Sequence, residues 1–232
     1  MKKANEKTFA QQFKEVLKSL CHTRSYSQVW ADFIRMSACS ISNATDKAMF
    51  EQREEMYLQA SGHYTRDELV KIAHLFALTA LALEENPEQD FLGELYTNMN
   101  LCNIRKGQIF TPYPVAKLMA LSSCGCFAEL IKEKGYASVN DPCCGAGVML
   151  IAAANVAREQ GVNYQRDMVF VGQDIDFTVA MMAYVQLSLL GCIGHIAVGN
   201  SLHPEQPSRE NIWFLPMNVH RRKLLEEFYY SN

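Results

Sequence analysis

A length of 232 residues, 49% of them hydrophobic and 20% charged, allows one buried core with a small appendage and is typical of a soluble globular protein. The formal net charge of −3 gives no electrostatic sign of nucleic-acid binding. No apolar run reaches membrane-spanning length, and Met1-Lys2-Lys3 leads into a polar stretch rather than the apolar core of a signal peptide. The composition therefore predicts a cytoplasmic protein without a membrane segment.

The cysteines do not form a zinc-binding pattern. None of the eight belongs to a Cys-x-x-Cys pair, so the sequence predicts no zinc site. Cys124-Gly125-Cys126 could chelate a metal or be redox-active, but buried or half-buried thiols are the favoured interpretation. Without an export signal, we expect the thiols to be reduced.

The first hundred residues show helical periodicity throughout. Apolar residues recur at helical spacing from the start of the chain, at Phe9, Phe13, Val16, Leu17 and Leu20. Thr65-Arg66-Asp67-Glu68 is a capping box that predicts a helix ending before Pro87, and a further helix is expected from Asp90 to about Leu101. We predict a helical N-terminal region over residues 1–104, without recognisable catalytic chemistry.

A polar segment separates this region from the first predicted strand. It reads Gly107-Gln108-Ile109-Phe110-Thr111-Pro112 and leads into an apolar helical pattern. Thr111 is a suitable N-cap and Pro112 a suitable first helical residue. Taken alone, the segment predicts only a capped helix.

A glycine-rich turn follows the first predicted strand, Ser138–Asn140. Residues 141–147 read Asp-Pro-Cys-Cys-Gly-Ala-Gly, and a strongly helical stretch comes next. This order is typical of a turn that brings the backbone close to a nucleotide, although the third glycine of the dinucleotide fingerprint is replaced by Leu150. Asp141 would repel a pyrophosphate and suits a cationic ligand such as S-adenosylmethionine. The alternative is an ordinary tight turn between a strand and a helix.

Two more strands are predicted after this turn, each followed by polar residues. Val169–Gln173 leads to Asp174, and Ile196–Val198 leads to Gly199-Asn200-Ser201-Leu202. A long apolar helix lies between them, so the pattern predicts an α/β fold with parallel strands and a ligand at their carboxyl ends.

These segments together resemble motifs of the N6-adenine DNA methylases, including type I restriction-modification subunits. Residues 107–112 resemble a Gly-Gln-Phe/Tyr-Phe-Thr-Pro segment, and residues 141–147 resemble Asp-Pro-Ala-Cys-Gly-Thr-Gly. Residues 172–176 and 199–202 are similar to the two following motifs of the family, in the same order. The resemblance covers about residues 90–202, and short methylase-like proteins of plasmids and phages are the most similar type.

The resemblance implies a class I S-adenosylmethionine-dependent methyltransferase core, Rossmann-like in fold, over residues 105–232. It implies that Thr111 and the neighbouring backbone hold the methionine carboxylate, Asp141 the amino group, Asp174 the ribose and Asn200 the adenine. The complete set of cofactor-binding residues that it implies is Phe110, Thr111, Pro112, Asp141, Cys143, Gly145, Gly147, Asp174, Ile175, Asn200, Ser201 and Leu202. DNA and other restriction-modification subunits are the implied partners.

The segment that should hold the target base departs from the family. The family carries an Asn/Asp-Pro-Pro-aromatic motif after the fourth strand, whereas this chain offers Asn211-Ile212-Trp213-Phe214-Leu215-Pro216-Met217-Asn218. We therefore expect the core to end after a fourth strand and assign no catalytic residue. The alternatives are a DNA adenine-N6 methyltransferase, a cofactor-binding pseudo-methylase that regulates or binds a partner, and a methyltransferase for another substrate class.

Overall fold

Helices precede the first strand in the computed structural model, which describes residues 7–102, 108–123, 125–202, 207–221, 224–225 and 228. In chain order they are α1 (Phe9–Leu20), α2 (Tyr26–Thr45), α3 (Phe50–Ser61), α4 (Arg66–Glu85), α5 (Phe91–Asn98), α6 (Tyr113–Ser123) and α7 (Phe127–Lys134). The predicted helical character of the N-terminal region is therefore confirmed. The predicted boundary between residues 104 and 105 lies outside the described residues, so the division into two domains stays a prediction.

Local capping explains where several of these helices begin. The Thr65 side chain accepts from the N–H of Glu68, whose carboxylate accepts from the N–H of Thr65, which forms the predicted capping box of α4. Asp90 caps α5 by accepting from the N–H of Gly93. The predicted helix from Asp90 to about Leu101 is shorter in the structure, because α5 ends at Asn98.

Four strands form one mixed sheet behind these helices. They are β1 (Ala137–Asp141), β2 (Met168–Asp174), β3 (Gly194–Val198) and β4 (Ile212–Phe214), and they lie in that order across the sheet. β2 pairs in parallel with both β1 and β3, which confirms the three predicted parallel strands. β4 runs antiparallel beside β3, so the expected fourth strand forms at the side of the sheet away from β1.

Helical crossovers join the parallel strands. α8 (Val148–Glu159) and the short α9 (Tyr164–Asp167) connect β1 to β2, and α10 (Phe177–Leu189) connects β2 to β3. α8 and α10 are apolar around most of their circumference and are buried, as expected for helices enclosed between a sheet and other helices. The parallel arrangement brings the carboxyl ends of β1, β2 and β3 to one edge.

The N-terminal helices pack directly against this sheet and its helices. Buried side chains from both parts of the chain form one continuous hydrophobic core. The buried Arg53 of α3 donates to the Ile212 carbonyl of β4 at 2.8 Å and lies 4.1 Å from the centre of the Trp213 ring. It also pairs with Asp46 at 2.8 Å, so its charge is compensated in the interior.

The membrane-spanning potential of the described helices is limited. No single helix among them is both long and apolar enough to cross a membrane. α6 and α7, which are bent by 51° relative to each other, meet the requirements of length and composition only as a pair.

Candidate functional site

A cavity of about 760 Å³ lies at the carboxyl ends of the three parallel strands. It is enclosed by the turns after β1, β2 and β3 and by the segment that precedes α6. The lining residues are Gln108, Ile109, Phe110, Pro142, Cys143, Gly145, Asp174, Ile175, Asp176, Val179, Gly199, Asn200, Ser201 and Leu202. Two of these are acids, and none of the described lining residues is lysine or arginine.

Asp174, the last residue of β2, connects the neighbouring turns. Its Oδ2 accepts from the N–H of Gly145 at 3.0 Å, and its Oδ1 accepts from the N–H of Asp176 at 2.9 Å. Its backbone carbonyl accepts from the N–H of Gly199 at 2.9 Å. A carboxylate offers about four acceptor positions, so these contacts leave room for two further donors from a ligand.

Asp141 ends β1 beside this cavity but does not line it. Its Oδ1 accepts from the N–H of Cys143 at 3.1 Å. Burial raises the pKa of Asp141 above its usual value, the hydrogen bond from Cys143 opposes this, and the negative charge of Asp174 adds to it. A cation placed near both carboxylates would relieve their repulsion.

The glycine-rich turn requires its two glycines for different reasons. Gly145 and Gly147 have φ of 57° and 95°, a conformation that other residues adopt only with strain. A Cβ at Gly145 would meet only the Phe110 ring, at 3.7 Å. A Cβ at Gly147 would lie 3.1 Å from Ala183 of α10, so this glycine allows close helix packing beneath the turn. Gly147 therefore supports the site from below and does not face the cavity.

The residues after β3 form the opposite wall. The Asn200 Oδ1 accepts from the N–H of Leu202 at 3.0 Å, which fixes the local turn. Ser201 Oγ lies 3.6 Å from Cys143 Sγ, so the turns after β1 and β3 touch. Ile175 is 71% exposed and Leu202 91% exposed, so apolar side chains stand at the cavity mouth.

The segment before α6 closes the remaining side. Gln108 Nε2 donates to Asp176 Oδ2 at 3.2 Å, and the Phe110 ring lies 5.7 Å from the ring of Tyr96 in α5. α6 begins at Tyr113, one residue later than predicted. The Pro112 carbonyl accepts from the N–H of Ala116, so Pro112 rather than Thr111 takes the capping position. Thr111 and Pro112 do not line the cavity.

The structure brings eight of the twelve predicted residues together around one cavity and leaves their roles as predictions. Phe110, Cys143, Gly145, Asp174, Ile175, Asn200, Ser201 and Leu202 line it, whereas Thr111, Pro112, Asp141 and Gly147 do not. Gly107, part of the same motif, lies outside the described residues. Asp176 was not among the site residues predicted from the sequence. Its position two residues after the end of β2 and directly before an apolar helix is a helix-capping signal that could have drawn attention to it.

Asn218 lies far from this cavity. Its Oδ1 accepts from the N–H of Gly194 and its Nδ2 donates to the Gly194 carbonyl, both at 2.8 Å. Gly194 begins β3, whereas the cavity follows the end of that strand. Asn218 therefore anchors the chain after β4 at the opposite end of the sheet.

Three parallel strands joined by crossover helices, a glycine turn after the first of them and an acid at the end of the second form the nucleotide-binding arrangement of doubly wound α/β folds. The family model described as N-6 DNA Methylase matches residues 88–219. The match covers more than half of the chain, and the chain therefore belongs to this family.

Two solved structures are similar to the chain. One is a class I S-adenosylmethionine-dependent methyltransferase from Listeria monocytogenes, at 15% identity and a TM-score of 0.46, with 85% of this chain and 55% of that one covered. The other is the methyltransferase subunit of a type I restriction-modification system from Streptococcus thermophilus, at 15% identity and a TM-score of 0.42, with 87% and 59% covered. The chain thus spans little more than half the length of these proteins. Comparison with curated protein sequences gives no match.

Proposed function

We propose that the chain binds S-adenosylmethionine in the cavity at the strand ends and acts in adenine-N6 methylation of DNA. Membership of the N-6 DNA Methylase family supports the reaction class. The observation that carries the proposal is the pair of carboxylates, Asp141 and Asp174, at the ends of adjacent parallel strands beside a cavity of about 760 Å³.

The residues around the cavity fit this ligand better than they fit an anionic dinucleotide. S-adenosylmethionine carries an ammonium and a sulfonium group. Either would favour the ionised form of Asp141, whose pKa is raised first by burial and further by the negative charge of Asp174. A pyrophosphate would instead meet Asp174 and Asp176 without a lysine or arginine among the described lining residues.

Each end of the ligand has a suitable partner in this proposal. Asp141 takes the ammonium group, and the free acceptor positions of Asp174 take the two ribose hydroxyls. Asn200 hydrogen-bonds the adenine edge, and the exposed Ile175 and Leu202 cover the flat base. When bound, the cofactor supplies an electrophilic methyl group, and the residues of the chain orient it and exclude water.

The second candidate function is a pseudo-methylase that binds the cofactor without efficient transfer. Transfer to adenine requires groups that hold the flipped base and orient its amino group. The sequence contains no Asn/Asp-Pro-Pro-aromatic motif, and Asn218 is engaged with the backbone of β3. We expect the isolated chain to transfer little or no methyl to DNA. DNA and restriction-modification subunits are its proposed partners.

The binding proposal is tested by calorimetry with Asp141→Asn. The amide oxygen can still accept from the N–H of Cys143, so the substitution removes mainly the charge. We expect affinity for S-adenosylmethionine to fall about tenfold or more. Affinity for 5′-methylthioadenosine, which lacks the amino-acid part, should not change. Equal weakening for both ligands, or none for either, contradicts the assignment of Asp141.

The transfer assay separates the two candidate functions. Purified protein is incubated with labelled S-adenosylmethionine and mixed-sequence duplex DNA. Binding without incorporation supports the pseudo-methylase, whereas incorporation at adenine N6 supports the enzyme. Absence of binding by the parent protein refutes both.

A further inference from the structure

A fully buried amide in α10 connects the glycine-rich turn to the N-terminal helices. Gln186 Nε2 donates to the Ala146 carbonyl at 2.9 Å and to Asp90 Oδ1 at 2.8 Å, and its Oε1 accepts from the N–H of Leu92 at 3.0 Å. Gln186 is 0% exposed and Asp90 2% exposed. Burying such groups is costly unless they are paired, and here the amide has partners at both ends.

We propose that Gln186 is a positioning residue of the cofactor site and that α5 forms part of the support of that site. This inference rests on the proposed function. Gln186 fixes the glycine-rich turn, residues 145–147, through the carbonyl of Ala146. Asp90 and Leu92, at the start of α5, hold the amide in place.

The Ala146 carbonyl lies between two N–H groups that shape the turn. Gly145 donates to Asp174 at 3.0 Å, and Gly147 donates to the Cys144 carbonyl at 2.8 Å. Because a peptide unit is planar, a shift of this carbonyl directly displaces the Gly147 N–H of the same unit, and the Gly145 N–H lies two peptide units earlier in the same short turn. The Gly145–Asp174 contact in turn positions the carboxylate proposed to hold the ribose.

α5 supports the same turn by a second route. The ring of Tyr96, on α5, packs at 5.7 Å on the ring of Phe110. Phe110 faces Gly145, where an added Cβ would lie 3.7 Å from the ring. α5 therefore reaches the turn by two routes, through the Gln186 amide of α10 and through the aromatic pair of Tyr96 and Phe110.

The start of α5 leaves little freedom for the acid that holds Gln186. Asp90 Oδ1 also accepts from the N–H of Gly93 at 2.9 Å. A Cβ at Gly93 would lie 2.0 Å from Asp90 Oδ2, so glycine is needed for the carboxylate to fit. The acceptor for Gln186 is thus fixed by its own helix.

The test compares Gln186→Met with Tyr64→Phe. Methionine keeps the side-chain volume and loses all three hydrogen bonds. Tyr64→Phe removes the buried hydroxyl that donates to Asp32 at 2.9 Å, within the N-terminal helices and away from the cavity, and so controls for general destabilisation. Hydrogen exchange of residues 142–148 and of β2 is measured for each, together with calorimetric affinity for S-adenosylmethionine.

We expect Gln186→Met to lose exchange protection at residues 142–148 while β2 changes no more than in Tyr64→Phe. Affinity for the cofactor should fall about tenfold or more in Gln186→Met and stay within twofold in Tyr64→Phe. Unchanged protection of the turn overturns the proposal, as does affinity within twofold of the parent. If the parent binds no cofactor, the proposed function is wrong, and exchange at the turn still decides the role of Gln186.

Where Gln186→Met does not fold, Gln186→Glu replaces it. A protonated glutamic acid at this position keeps the shape of the glutamine side chain and still accepts from the N–H of Leu92. Its single O–H can donate to Asp90 Oδ1 or to the Ala146 carbonyl, but not to both. The same two measurements then decide, with the same expected and contradicting results.

Discussion

Replacing Asp174 by alanine tests the centre of the proposed site. The carboxylate accepts two backbone N–H groups and has acceptor positions left for the ribose hydroxyls. A hydrogen bond to a charged group contributes roughly 1.5–3 kcal/mol, so Asp174→Ala should weaken cofactor binding about ten- to a hundredfold. Loss of the acceptors for Gly145 and Asp176 should also lower the free energy of unfolding by about 2 kcal/mol.

Calorimetric titration of the variant with S-adenosylmethionine measures this effect, and urea unfolding measures the loss of stability. Asp167→Ala is the matched control, since Asp167 precedes the same strand at its opposite end and pairs there with the exposed Arg166. It should leave cofactor affinity unchanged. A cofactor analogue without ribose hydroxyls should lose much less affinity on Asp174→Ala. Binding of S-adenosylmethionine within twofold of the parent would refute the assignment of Asp174.

Two further substitutions test the support of the site, and a third tests the residue at the opposite end of the sheet. Gly147→Ala should lower the free energy of unfolding at least about 1 kcal/mol more than Gly161→Ala in urea titrations, because both have positive φ but only Gly147 approaches Ala183. Burial raises the pKa of Asp90 to about 6, so the free energy of unfolding of the parent should fall by up to about 3 kcal/mol between pH 4 and 6 as the carboxyl ionises. Asp90→Asn should show no such fall. Parallel plots of unfolding free energy against pH for the parent and the variant would contradict this. Asn218→Ala should lower the free energy of unfolding by about 1–3 kcal/mol and leave cofactor affinity unchanged by calorimetry; weaker binding would place it nearer the cavity than the structure does.

The features that the sequence predicted depend on neighbours along the chain. Asp174 follows a run of buried strand residues, and the glycine turn directly follows β1, so a short window contains each signal. Parallel pairing then brings strand ends together whatever the exact strand bounds are. The same logic placed the capping box of α4, where both partners lie within four residues.

The features that the sequence did not predict depend on distant partners. Gln186 reads as an interruption in an apolar helix, and only the fold brings it to Asp90, 96 positions away. The antiparallel direction of β4 could not be predicted from its own residues either. A three-residue apolar segment such as Ile212–Phe214 fits a parallel or an antiparallel strand equally well. α6 begins at Tyr113, one residue after the predicted start at Pro112, because proline is compatible with both the capping position and the first helical position.

The cofactor binding and the methyl transfer proposed for this chain have separate structural requirements. The lining residues of the cavity end β2, follow β1, β2 and β3 or precede α6, whereas Asn218 is hydrogen-bonded to the first residue of β3. Four residue steps along that strand place it roughly 13 Å from the strand end where the cavity begins, too far for direct contact with a methyl acceptor there. Cofactor affinity therefore tests the described cavity alone. Incorporation of methyl groups into DNA would instead require that the groups holding the adenine be residues other than Asn218.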